Sequence, residues 1–312
     1  MKRILTIDGG GIKGVFPAAL LATVEDAIGD NIANYFDLIV GTSTGGIIAL
    51  GLGLGLSAKE VLAFYEKYGP TIFKSNRGLR WLRWLVTSKY SRAPLENALR
   101  SCFGEKRLGD SKKRLVIPSL NLGNGEVHIY KTAHHLRLET DYKESAVDVA
   151  MATASAPTYF PTHRSIAGIP LIDGGLWANN PVGMAVVEAI TLLDWPRDSL
   201  KVLSVGCTTE PLNVNLGRRI LLSRPYWAFK LLDVFMHVQS HASLGTALLL
   251  AGHNNVIRID QNVPRRRFSL DGIEKIDSLK GAGAAKARHA LPKLREVFLC
   301  DHAEQFVPFH TL

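Results

Sequence analysis

Ser43 is the side chain of this sequence best placed to act as a nucleophile. It stands at the centre of Gly41-Thr42-Ser43-Thr44-Gly45, a G-x-S-x-G pentapeptide, in which the flanking glycines let the chain turn sharply and lift the hydroxyl to the tip of the turn. The preceding Asp37-Leu38-Ile39-Val40 reads as a buried strand and the following apolar run as helical. N–H groups and the positive end of a helix dipole would then face the hydroxyl. The pentapeptide also occurs as a plain tight turn, so its meaning rests on what accompanies it.

A serine nucleophile needs a base. Asp173 opens Asp173-Gly174-Gly175, after the apolar run at residues 169–172 and before Asn179-Asn180-Pro181. Asp-Gly-Gly alone is a turn signal. The ten histidines offer the other route, a Ser-His-Asp esterase, with His163, His237, His241 and His253 to be tested. That architecture places several strands before its serine, and only two fit before Ser43. A carboxylate can take the proton directly if burial lifts its pKa from the reference value of about 3.9 toward the working pH.

The third feature is Asp8-Gly9-Gly10-Gly11-Ile12-Lys13-Gly14, between the β-rich Ile4-Leu5-Thr6-Ile7 and a helical pattern over residues 15–28. Its G-x-G-x-x-G spacing is the dinucleotide fingerprint, which would make the chain a nucleotide-binding protein with Asp30 at the spacing of the ribose acid. Against this, Asp8 would set a negative charge beside the pyrophosphate, and Lys13 is a cation the fingerprint does not need. Glycine amides converging on one point also stabilise an oxyanion, at about 2.7–4 kcal/mol per donor.

Taken together and in this order, the three motifs resemble those of the patatin-like phospholipases, D-G-G-G-x-[RK]-G, G-x-S-x-G and D-G-[GA], here Asp8 to Gly14, Gly41 to Gly45 and Asp173 to Gly175. Ala154-Ser155-Ala156-Pro157 with Pro161 is similar to that family's small-residue-plus-proline segment, and the resemblance spans residues 1–210. It implies a three-layer α/β fold with a mainly parallel central sheet and helices on both faces. It also implies a Ser-Asp dyad of Ser43 and Asp173, an oxyanion hole of the Gly9, Gly10 and Gly11 amides, an acyl-enzyme, and no metal or cofactor. Lys13 stands where the family usually has Arg, a milder change for a point charge than for a bidentate contact. The chain further looks like bacterial members of the family that degrade membrane phospholipid in antiphage defence once a cyclic nucleotide binds. A cyclic dinucleotide activator, a phospholipid substrate met by peripheral contact and a homo-oligomer are the partners this implies; no nucleic acid is expected.

The elements that must position these residues alternate. Strands are expected at residues 115–120 and 127–130 around an Asn124-Gly125 turn, at 169–172, 201–205 and 256–259. Helices are expected at 58–68, 146–156 and 182–193. Strand and helix in alternation predict an α/β domain with a largely parallel sheet. Gly51, Gly53 and Gly55 predict either a helix packed closely on a neighbour or one that frays early. Residues 1–210 read as the catalytic domain and residues 211–312 as a helical C-terminal part packed on it.

Of 312 residues, 46% are hydrophobic and 21% charged, ordinary for a globular chain. Three dispersed cysteines argue against a disulfide scaffold or a zinc site. The apolar N-terminal run stops at Asp8, too short for a signal peptide, and the longest uncharged apolar run, Gly45 to Leu56, is 12 residues where a membrane span needs about 20. A cytoplasmic protein, peripheral at the inner membrane when active, is the expectation. The net charge of +9 sits in residues 74–114 and 211–312 and would attract polyanions such as lipid headgroups or nucleotides. The basic-aromatic stretch Arg77 to Leu85 suits a membrane interface or lid, though a core with a solvated face is the better reading. Arg218-Arg219 and Arg265-Arg266-Arg267 could meet phosphates, and His134-His135 or His237/His241 could ligate a metal only with a third ligand.

Overall fold

The computed structural model describes residues 1–74, 88–212, 223–264 and 267–312. Arg77 to Leu85, Arg218-Arg219 and Arg265-Arg266 therefore lie outside the described residues.

The strands are β1 (Lys2–Ile7), β2 (Leu38–Gly41), β3 (Arg114–Asn121), β4 (Val127–Lys131), β5 (His163–Arg164), β6 (Pro170–Asp173), β7 (Leu200–Val205) and β8 (Val256–Ile259). They form one sheet in the order β5-β6-β3-β2-β1-β7-β8, with β4 also on β3. β3, β2, β1, β7 and β8 run parallel; β4, β6 and β5 join antiparallel. The expected parallel sheet is thus its central part, and the strand ending at Asp173 runs the other way.

Side chains alternate across the strands, as a period of two requires. Leu5, Ile7, Ile39, Leu115, Ile117, Leu203 and Val205 enter one apolar cluster, and Ile4, Leu38, Val40, Val116, Leu200 and Val202 enter another. The first layer is covered by α1 (Val15–Ile28), α2 (Thr44–Gly53), α3 (Ala58–Ile72), α4 (Arg92–Phe103), α5 (Ala146–Ala154) and, later in the chain, Ile276–Val297. Between α5 and that last helix come the short α6 (Gly175–Ala178), then α7 (Val182–Thr191) and α8 (Ser223–Ala251), and the last helix is α9. α7 and α8 cover the second layer. Helices on both faces make the three-layer α/β fold.

Local signals set the helix limits. A capping box joins Ser57 and Glu60 at the start of α3, and α1 stops at Gly29, whose φ of +70° suits glycine. α2 is buried throughout. A Cβ on Gly51 would stand 2.8 Å from Val61 and one on Gly53 2.6 Å from Ser111 Oγ, so these two glycines serve close packing, whereas Gly55, with a φ of +94°, belongs to the turn after the helix. Helix α4 and strand β5 had no counterpart in the sequence reading.

The pairing of β3 brings the site together. β2 pairs with Arg114 to Val116, β6 with Ser119 to Asn121, and β4 with Val116 to Leu120. Because β4 shares residues with each of the others, it occupies one edge, and β2 and β6 lie along the opposite edge. They point at each other: β2 runs up to Gly41 and β6 runs down to Asp173.

Candidate active site

Ser43 follows β2 by two residues and precedes α2. Its φ of +56° and ψ of −122° form a strained conformation for a residue with a side chain. Neighbouring contacts enforce it. A Cβ on Gly41 would stand 2.0 Å from the Gly45 carbonyl oxygen, and one on Gly45 would stand 2.2 Å from the Ile7 carbonyl oxygen. Only glycine fits either place. The Ser43 N–H donates to Thr153 Oγ1 at 3.0 Å, and that hydroxyl donates to the Pro118 carbonyl at 2.6 Å.

The Ser43 hydroxyl donates to Asp173 Oδ2 at 2.5 Å. The other carboxylate oxygen, Oδ1, accepts from the Gly175 amide at 2.7 Å. Gly174 is pinned beneath, where a Cβ would stand 2.3 Å from the Pro118 carbonyl oxygen. Burial pushes the Asp173 carboxyl up to about 6, against the lowering effect of the bonds from Ser43 and Gly175. No histidine among the described residues hydrogen-bonds Ser43. His163 is buried 3.5 Å from Asp148, and His237 and His241 face each other at 4.5 Å between ring centroids.

The glycine loop approaches Ser43 directly: a Cβ on Gly9 would stand 3.2 Å from Ser43 Cβ and 2.4 Å from Asn179 Oδ1. The Gly9 amide, however, donates to the Asn179 carbonyl at 2.9 Å, whereas the Gly10 and Gly11 amides have no partner among the described residues. Gly11 has a φ of +58°, and Gly14 is packed on Thr44, with a virtual Cβ 2.2 Å from its Oγ1. Lys13 Nζ donates to the Thr208 carbonyl at 3.2 Å.

Asp8 is buried and holds Arg258 through two bonds, 2.8 Å from Nη1 to Oδ1 and 2.5 Å from Nη2 to Oδ2. Arg258 also donates to Ser204 Oγ at 2.8 Å and to Asp260 Oδ2 at 2.9 Å. The carboxylate of the first motif is thus occupied by a fixed cation rather than open to a ligand. Asp30, the ribose-acid candidate, lies beyond α1 at the end of the sheet where the strands begin, bonded to His302 at 2.6 Å. The chain does not bring it to the glycine loop. The contacts of Arg258, Thr153 and Asn179 are not legible in the sequence, since none of the three belongs to a motif that marks its partner.

Ser43, Asp173, the Gly9 to Gly11 loop, Asn179 and the Asp8–Arg258 pair border one cavity of about 1630 Å³, with apolar walls that include Phe64, Ile72, Phe73, Tyr159 and Phe160. Such a wall accepts hydrocarbon, with the hydroxyl, carboxylate and free amides at one end. Among the described residues no cluster of three or more metal-ligating side chains occurs. His134 instead bonds Thr132 and Glu188 at 2.9 and 3.0 Å.

The chain is similar to known proteins along most of its length. The family described as "Patatin-like phospholipase" matches residues 5–186. A protein of Pseudomonas aeruginosa named "cGAMP-activated phospholipase" is 34% identical, over 99% of this chain and 95% of the relative. One of the same name from Vibrio cholerae is 33% identical, over 86% of this chain and 83% of the relative. Among solved structures, VipD from Legionella pneumophila shares the fold with a TM-score of 0.53 at 15% identity, over 94% of this chain and 67% of that one.

Proposed function

This chain belongs to the patatin-like phospholipase family, and from that premise we propose that it cleaves acyl esters of membrane glycerophospholipids through a Ser43–Asp173 dyad. The observation that carries the reading is the 2.5 Å bond from the Ser43 hydroxyl to a buried carboxylate. Asp173 accepts the hydroxyl proton as Ser43 Oγ attacks the ester carbonyl. The carbonyl oxygen becomes an oxyanion held by the Gly10 and Gly11 amides. Gly9, whose amide is engaged by Asn179, shapes the loop. Collapse of the intermediate expels the lysolipid alkoxide, which takes the proton from Asp173 and leaves an acyl ester on Ser43. Water then attacks that ester, giving its proton to Asp173; the second intermediate collapses by breaking the Ser43 Oγ–acyl bond, the serine oxygen takes the proton back from Asp173, and fatty acid departs. A carboxyl titrating near 6 is ionised at neutral pH and close enough to it to serve as a base.

Activation by a cyclic dinucleotide is part of the same proposal, supported by the name that the two bacterial relatives share; the antiphage setting rests on the resemblance of the motifs alone. No helix among the described residues is long and apolar enough to cross a membrane.

Two measurements test this. Fluorophosphonate labelling with peptide mapping is expected to mark Ser43 in the wild type and nothing in Ser43→Ala. Fatty acid release from phospholipid vesicles, followed with and without cyclic GMP-AMP, is expected to rise on addition of the nucleotide. Full hydrolysis by Asp173→Ala would overturn the dyad, and hydrolysis indifferent to the nucleotide would overturn the activation.

A further inference from the structure

Helix α8 presents two unlike faces. Met236, His237, Ser240 and Leu244 line the cavity that holds Ser43. At about 100° per residue, Leu231, Phe235, Val238, Ala242 and Leu249 fall in a narrow stripe on the other side of the same helix. They are exposed, Leu231 at 62%, Phe235 at 49%, Val238 at 56% and Leu249 at 82%. Residues 234–252 contain no Asp, Glu, Lys or Arg. A surface helix ordinarily turns its charged face to water; between residues 234 and 252 this one exposes no charged residue, and only His241 and Thr246 are exposed polar residues beside the stripe. Gln239 Oε1 accepts from the Asn179 amide, Ser243 Oγ accepts from the Gly183 amide, and hydrocarbon is left outside. The cavity rim continues the pattern, since Leu212 and Leu270 line the cavity and are 38% and 40% exposed.

A long apolar stripe at near-heptad spacing can also meet another helix. Two features speak for lipid instead. Coiled-coil seams are flanked by charged positions that fix partner and register, and beyond Asp233 this stripe has none. The centre of the stripe is Ala242, followed by Gly245, which offers no knob to a partner helix. Continuity with the cavity argues in the same direction: the opposite face of the same helix lines the cavity that holds Ser43. The net charge of +9 adds attraction to anionic headgroups.

We propose that the outer face of α8 is the surface on which this protein docks to an anionic phospholipid bilayer. The proposal rests on the lipid-hydrolase reading of the Ser43 site, because that reading is what requires the cavity to meet a membrane.

The test is co-sedimentation of the full chain with phosphatidylethanolamine–phosphatidylglycerol vesicles, comparing wild type with Phe235→Ser/Val238→Ser and with Leu249→Ser. Ile166→Ser, an exposed apolar residue on the β5–β6 turn, is the control. Wild type and control are expected to partition onto vesicles, and the double variant to partition at least tenfold less, while turnover of a short-chain, water-soluble ester stays unchanged. Equal partitioning of wild type and double variant would overturn the proposal. So would a double variant that binds vesicles normally but loses a dimer seen by light scattering, which would assign the face to a protein partner. Vesicle binding that depends on Phe235 and Val238, in a protein that cleaves neither soluble ester nor phospholipid, would keep the docking face and remove the hydrolase reading. Leu249→Ser, at the far end of the stripe, gives the same comparison should the double variant fail to fold.

Discussion

Arg258 grips both oxygens of Asp8 across 250 residues of sequence. The guanidinium lies on β8, beyond the residues that match the family, and the carboxylate opens the glycine loop. The C-terminal part therefore anchors the first motif.

Arg258→Met is expected to destabilise the protein by about 3 kcal/mol, because it strands a buried carboxylate without its partner. Urea unfolding would measure this. Asp8→Asn/Arg258→Met should recover part of the loss by removing the orphaned charge as well. Equal stability of Arg258→Met and wild type would contradict the anchoring role.

The pH profile follows from Asp173. With the carboxyl raised to about 6 by burial, kcat/KM on a soluble ester should fall as pH drops through about 6, since the protonated form cannot accept the Ser43 proton. A profile flat down to about pH 4.5, near the reference range for carboxylates, would refute this assignment.

The same shift carries a stability cost. A carboxyl whose folded pKa is raised binds more protons folded than unfolded between its two pKa values, so stability declines as pH rises from about 4 through about 6. Asp173→Asn keeps an oxygen for the Gly175 amide and removes the buried charge. It is expected to be inactive yet more stable than wild type at about pH 7.5, by on the order of 1–3 kcal/mol, with the gain vanishing near pH 4. Thermal melts at both pH values check it.

Thr153→Val removes the acceptor for the Ser43 N–H and the donor to the Pro118 carbonyl at nearly constant shape. Leaving buried groups unpaired costs about 1–3 kcal/mol. Because one of them fixes the strained serine, a fall in kcat of about tenfold or more at little-changed KM is expected. Steady-state kinetics on a soluble ester would read it, and an unchanged kcat would show that Gly41 and Gly45 suffice.

The two sharpest local signatures were legible in the sequence. Gly41 and Gly45 are needed within two residues of Ser43, and the helix over residues 15–28 appears at the expected limits, set between Gly14 and Gly29. What could not be read is long-range. Nothing near Arg258 announces Asp8, and nothing in the pattern around Thr153 announces the Ser43 amide, since each pairing is created by the sheet order. The direction of β6 was equally hidden, because four residues of strand pattern look alike whichever way they run. Gly9 shows the limit within a motif: three adjacent glycines look equivalent as donors until Asn179 takes one of them.

The shared edge of β3 makes that strand a ruler for the reaction. Gly41 and Asp173 approach from opposite directions and are each seated by pairing to it, Val40 opposite Val116 and Asp173 opposite Ser119. An inserted residue between those two positions would lengthen the gap by about 3.4 Å and turn the following side chains to the opposite face. The hydroxyl and the carboxylate would then part even if every residue of both motifs were intact. Insertions in the Asn124-Gly125 hairpin tip, by contrast, leave the measured span untouched. Such length variants would separate what the motifs specify chemically from what the strand between them specifies by distance.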